Sequence, residues 1–102
     1  MKKSLERDIV RALKQVYDPD ISVNVYDLGL IYEISSDDDN NITITMTLTS
    51  PNCPVADDIL ADVKVAVEDT PGVMSATIDL VFEPAWDKDR MSEEALLELG
   101  FL

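Results

Sequence analysis

The run Ile42-Thr43-Ile44-Thr45-Met46-Thr47-Leu48 alternates apolar residues with threonine without a break, and a few positions later the apolar spacing changes from two to four. Strict alternation belongs to a strand with one face on a core, because successive side chains point to opposite sides. Val55, Ile59, Val63 and Val67, with Ala56, Leu60 and Ala66 widening the stripe, predict a helix from Val55 to about Asp69 that Thr70-Pro71-Gly72 stops. Beyond it Ala76, Ile78, Leu80 and Phe82 alternate within Val73 to Glu83, a third strand that is reached through a helix and so runs parallel to the second.

The flanking segments complete the plan. Leu5, Ile9, Leu13 and Val16, with Val10 beside them, predict an amphipathic helix from about Ser4 to Tyr17, with Ser4 as its cap and Asp18-Pro19 as its end. Leu28-Gly29-Leu30-Ile31-Tyr32-Glu33-Ile34 reads as a first strand, with Gly29 marking a bend or bulge near its start. Ser35 to Asn41 then forms a hairpin turn whose Asp37, Asp38 and Asp39 make a solvated tip. Ser92, Glu93, Glu94 and Ala95 open a short last helix that Gly100 closes. The order helix, strand, strand, helix, strand, helix predicts an α+β, two-layer sandwich, with helices covering one face of a small mixed three-stranded sheet. At 102 residues the whole chain, 1–102, makes a single domain around one core.

Composition excludes several classes of function. Lys and Arg number 8 against 21 Asp and Glu, a formal net charge of -13, so the summed field repels phosphate backbones and no nucleic-acid partner is expected. The same charge suits basic protein surfaces, although it also serves solubility alone. No apolar run approaches the about 20 residues that span a bilayer, and no membrane role is expected. A lone cysteine closes no intrachain disulfide, and the basic start at Lys2 and Lys3 leads into no apolar segment, so the expected location is the cytoplasm.

The chain has no histidine, which removes the usual general base and the commonest nitrogen metal ligand. Its 3 glycines, Gly29, Gly72 and Gly100, lie far apart, so no glycine-rich phosphate loop exists. What remains is Thr47-Leu48-Thr49-Ser50-Pro51-Asn52-Cys53-Pro54, which runs from the end of a strand into the start of a helix. Pro54 suits the first helical position, which sets Cys53 at or next to the N-cap, where free N-H groups and the positive helix end favour a thiolate. Asp57, Asp58 and the global charge act the other way, and a cysteine at a strand-to-helix seam is also an ordinary buried apolar residue. Asp18-Pro19-Asp20 reads either as a turn with a carboxylate on backbone N-H groups or as a source of ligands. Asp27 has a simple role in leading into the first strand, and Trp86 and Met91 read as hydrophobic cover.

Asp18-Pro19-Asp20, Val25-Tyr26-Asp27-Leu28-Gly29-Leu30-Ile31-Tyr32, the block from Met46 to Pro54, Pro71-Gly72-Val73 and Pro84-Ala85-Trp86 together resemble the SufT and PaaD-like metal-sulfur cluster biosynthesis family. The resemblance runs from about Leu5 to Gly100, and its most specific part is Thr47 to Pro54. It implies a factor for iron-sulfur protein maturation, without turnover chemistry of its own, that works beside scaffold and assembly proteins and client apoproteins. The family's signature cysteine falls on Cys53, and Asp18, Asp20, Asp27, Thr47, Thr49 and Ser50 fall on positions that surround it. Asp20 stands where glutamate is usual, one methylene short of its reach. A cluster generally takes four protein thiolates and this chain has one, so an iron-sulfur cluster, or iron, would be held through Cys53 transiently and shared, for instance by two copies in a homodimer. The other class of reading is an acidic adaptor in which Cys53 does not touch metal. A redox or persulfide-accepting Cys53 would need a depressed pKa with no histidine to lower it.

Overall fold

The computed structural model describes residues 2–17, 23–49 and 56–100. Their order is α1 (Lys3–Leu13), β1 (Ile31–Ser36), β2 (Asn41–Met46), α2 (Ala56–Glu68), β3 (Ser75–Leu80), a 3-10 turn (Lys88–Arg90) and α3 (Glu93–Glu98). The sheet has the order β1-β2-β3, with β1 antiparallel and β3 parallel to β2. The expected α+β fold with its small mixed sheet is the fold observed.

The alternation in β2 does what its period demands. Ile42, Ile44 and Met46 are buried, while Thr43 and Thr45 on the other face are only half-buried. Ile44 lies at the centre, opposite Ile34 of β1 and Ile78 of β3. Above that face, Ile59, Val63 and Val67 of α2 and Leu5, Ile9 and Leu13 of α1 join the same core, with α2 on β3 and α1 against α2. The four-residue steps thus put Leu5, Ile9 and Leu13 of one stripe and Ile59, Val63 and Val67 of the other on the buried side.

The third strand is shorter than expected, Ser75–Leu80, and Phe82 lies beyond it and is exposed. Three other boundaries also differ from expectation, each for a local reason. Lys2, not Ser4, holds the N-cap position of α1, and no side chain caps it. The helix also stops at Leu13. Gln15 and Val16 donate their N-H groups to Ala12 and Leu13 in a tightened last turn, and Tyr17 then pairs with Asn24 in an isolated antiparallel bridge. Val16 is still buried, so its place in the apolar stripe is kept without helix. In the third case, Leu28 to Leu30 form a turn where a strand is expected. Leu28 N-H bonds Asn24 carbonyl at 3.0 Å, and Gly29 N-H bonds that of Tyr26 at 3.0 Å. Gly29 does bend the chain there, with φ +79°, and a register irregularity follows between Ile31 and Glu33.

The hairpin tip is organised by one carboxylate. Asp37 Oδ1 accepts from the backbone N-H groups of Asp39 and Asn41, each at 2.9 Å, and its Oδ2 accepts from Asn41 Nδ2 at 2.9 Å. These bonds favour the charged form, the side-chain bond from Asn41 most, and hold the Asp37 pKa below the usual carboxylate value. A lowered native pKa stabilises the fold above the unfolded-state pKa, and that contribution is lost as pH falls through the native value. Asp37→Ala is therefore expected to lower the thermal midpoint at neutral pH. In strong acid, where the wild-type carboxylate is protonated, the gap between the two proteins should narrow. A gap that is constant across that range in calorimetric scans would show that the carboxylate charge is irrelevant to the turn.

The C-terminal segment folds back on the loop before β1. Ser92 caps α3 by accepting from Ala95 N-H, and its own N-H donates to the Asp27 carbonyl at 2.8 Å. Trp86 Nε1 donates to the Leu28 carbonyl at 2.7 Å, and Tyr32 hydroxyl donates to that of Pro84 at 2.7 Å. Met91 and Ala95 are buried below, so Trp86 and Met91 serve as cover, as expected.

Candidate functional site

Of the seven residues singled out for the site, the structure describes Asp27, Thr47 and Thr49. Asp18, Asp20, Ser50 and Cys53 lie outside the described residues, as does Pro54. The geometry therefore consists of what precedes and follows the segments 18–22 and 50–55.

Four backbone hydrogen bonds tie these flanks into one block. Val25 N-H reaches Val16 carbonyl at 2.8 Å, Leu30 N-H reaches Val25 carbonyl at 3.2 Å, and Thr47 N-H reaches Leu30 carbonyl at 2.9 Å. On the other side Val81 N-H bonds Met46 carbonyl at 2.8 Å. The end of α1, the turn from Asn24 to Leu30, the end of β2 and the exit of β3 are thus adjacent. Val25, Leu28 and Leu30 are wholly buried beneath this block, which fixes it against the core. The Tyr17 and Asn24 bridge pairs the described residues on either side of segment 18–22.

Thr47 is buried at 1% exposure, Leu48 is buried too, and Thr49 is exposed, so the chain surfaces at the third residue after the strand end. On the far side of segment 50–55, α2 opens with Ala56 and then the exposed Asp57 and Asp58. Carboxylates in a first turn complement the helix dipole, and water screens their field at these exposed positions.

Asp27 has a local partner. Asn24 Nδ2 donates to Asp27 Oδ2 at 2.8 Å, and Asp27 N-H donates to Asn24 Oδ1 at 2.8 Å. This reciprocal clasp holds the turn that leads to β1, and it puts Asp27 in the structural role its position in the sequence allows. Among the described residues the structure records no hydrogen bond from Asp27 to Thr47 or Thr49.

Asn24 is a site-region residue that sequence reasoning passed over, buried at 8% exposure beside Asp27. Glu94 and Glu98 are two more. With Tyr17, Asn24 and Asp27 they rim a hollow of about 270 Å³ beside the Tyr17 and Asn24 bridge. No basic side chain lines it among the described residues. The four-residue spacing of Glu94 and Glu98 signals a shared helix face, but the bond from Ser92 to Asp27 and the burial of Met91 and Ala95 bring that face here. Nowhere among the described residues do three or more His, Cys, Asp or Glu side chains gather as a metal-binding group. Nor is any helix there long and apolar enough to cross a membrane.

Comparison with known proteins gives a consistent result. The model of a family described as iron-sulfur cluster assembly protein matches residues 6–80. A protein of Porphyromonas gingivalis named Fe-S protein maturation auxiliary factor is 63% identical over 97 residues, which cover 95% of this chain and 92% of that one. The Fe-S protein maturation auxiliary factor YitW of Bacillus subtilis is 42% identical, with 98% of each chain covered. Among solved structures, a domain of unknown function from Bacillus anthracis superposes with a TM-score of 0.91 at 37% identity, covering 99% of this chain and 96% of that one.

Proposed function

This chain belongs to the iron-sulfur cluster assembly protein family, and from that premise we propose that it is a cytoplasmic maturation factor that takes up an iron-sulfur cluster, or iron, transiently through Cys53 and hands it to client apoproteins. The cluster is cargo rather than a resident cofactor, and no turnover chemistry is assigned to the chain. Its partners in this reading are scaffold and assembly proteins on one side and clients on the other.

The observation that carries the reading is the near full-length similarity to relatives named as maturation auxiliary factors. The backbone block supports it, because a run of hydrogen bonds links Val16, which precedes segment 18–22, through Val25 and Leu30 to Thr47, which precedes segment 50–55. Thr47 and Leu48 anchor the end of β2 in the core, which gives the segment after Thr49 a fixed base. Thr49 and Ser50 serve as hydroxyl donors near the sulfur, and Asp18 or Asp20 as further oxygen ligands.

One thiolate cannot complete a cluster that generally takes four, so the remaining ligands come from a second copy or from small-molecule thiols. A cluster held in this way is exposed and labile, which suits transfer. Anaerobic reconstitution with iron and sulfide tests it. Wild type should acquire visible absorption and bound iron, while Cys53→Ala, checked for native circular dichroism, should lose both. If the variant keeps as much cluster as wild type, Cys53 is not the ligand. If neither takes up a cluster, direct carriage is wrong and an adaptor role replaces it.

A further inference from the structure

A second surface lies at the opposite end of α2 from the Cys53 segment. The 13 residues of α2 rise about 1.5 Å each, so its last residue stands about 18 Å from its first. There α1 and α2 leave a shallow groove of about 660 Å³. Ala12, Ala66 and Pro71 supply apolar lining, and the exposed Val65 lies beside it on α2.

The charges around this groove are uneven. Asp8 and Arg11 face each other at 3.9 Å, both well exposed, and roughly cancel. The C-terminus of α2 has no such balance. It ends on Glu68, followed at once by Asp69, with no basic residue in its last turn, whereas α1 has Arg11 in its own. Neither Glu68 nor Asp69 meets a cation among the described residues. Carboxylates at the negative end of a helix dipole are mildly unfavourable to folding, so this end is left electrically unsatisfied. Thr70 hydroxyl bonds the Ala66 carbonyl at 3.0 Å, which fixes the helix end and the groove wall together.

We propose that this groove is a docking surface for a segment of a partner protein that presents an apolar side chain flanked by Lys or Arg. The apolar side chain rests on Ala12, Ala66 and Pro71, and the cation lies at Asp69 and the end of α2. A long basic side chain suits both parts, since its methylene stem covers apolar surface while its charge reaches the rim. Docking at this end leaves the N-terminal end of α2, with Asp57 and Asp58, uncovered. The inference does not depend on cluster carriage, and its test contains no iron.

The test is an NMR titration of the isotope-labelled full chain with a short acetylated, amidated peptide alternating leucine and arginine. The matching peptide with glutamate for arginine is run in parallel. The basic peptide should shift the amides of Ala12, Gln15, Ala66 and Thr70 and lose affinity as salt rises. Asp69→Lys should weaken it about tenfold, with unchanged amide dispersion and a thermal midpoint no lower than wild type. Asp39→Lys makes the same change of charge at the hairpin tip and should retain binding. Equal weakening by both variants would mean attraction to the whole acidic chain, which overturns the assignment. So would equal binding of the glutamate peptide, an absence of shifts, or shifts that map elsewhere. Shifts in the same amides on dilution of the protein alone would mean that a second copy fills the groove, and would also overturn it.

Discussion

Gly29→Ala is expected to destabilise the domain by about 3 kcal/mol, as read from urea unfolding. Two effects combine there. The backbone has φ +79°, a conformation that costs an L-residue about 1 kcal/mol or more. The added Cβ would also fall into the Arg90 carbonyl group and within 2.8 Å of Arg90 Cβ. Backbone cannot swing aside there as a flexible side-chain end could. Arg90 belongs to the 3-10 turn, whose neighbour Met91 is buried and whose chain is pinned at Ser92 by the Asp27 carbonyl. Gly100→Ala separates the two effects. Gly100 has φ +83° but open space around it, so only the conformational cost of about 1 kcal/mol is expected. Equal losses at the two positions would show that the close approach to Arg90 contributes nothing.

Ile44→Ala is expected to cost about 2 to 5 kcal/mol. Ile44 is wholly buried at the centre of the middle strand, with Ile34 and Ile78 across from it on either side. Neighbours on two strands and the helices above leave little room for the cavity to collapse. Val65→Ala removes two methyl groups from an exposed position on α2 and should stay within about 0.5 kcal/mol of wild type. A cost at Ile44 below 1 kcal/mol by chemical denaturation would contradict a close-packed core at this point.

The fold was legible because its apolar periods are clean. The alternation of β2 and the four-residue steps of α1 and α2 specify both element type and buried face, and short turns leave few ways to join them. The errors occur where local hydrogen bonding overrides an apolar pattern. Leu28 and Leu30 look like strand residues because they are apolar, but the Asn24 and Asp27 clasp turns the chain there and both side chains are buried regardless. Val16 is similar, since its burial fits a helical stripe although the bridge at Tyr17 has already begun.

The candidate site was legible only in its sequential part. Thr47 at a strand end and Asp27 in a turn follow from neighbouring residues, and the structure places them so. At the hollow rimmed by Glu94 and Glu98, the Ser92 bond and the burial of Met91 and Ala95 bring α3 beside Asp27, contacts between residues far apart in the chain that the local α3 pattern does not specify.

The mixed sheet also sets an order of events during synthesis on the ribosome. The β1 and β2 pair closes through a tip of a few residues and can form once Met46 has left the exit tunnel, whereas Asn41 and Ser75, which meet side by side in the β2 and β3 pair, are 34 positions apart. In a nascent chain that has reached the end of α2, the β1 and β2 hairpin has no third strand to pair with, and the second strand's parallel edge is bare whenever the hairpin forms. Until Ser75 to Leu80 emerge, that edge is open to any other extended segment nearby, which makes this the interval in which a translating chain has most need of a chaperone.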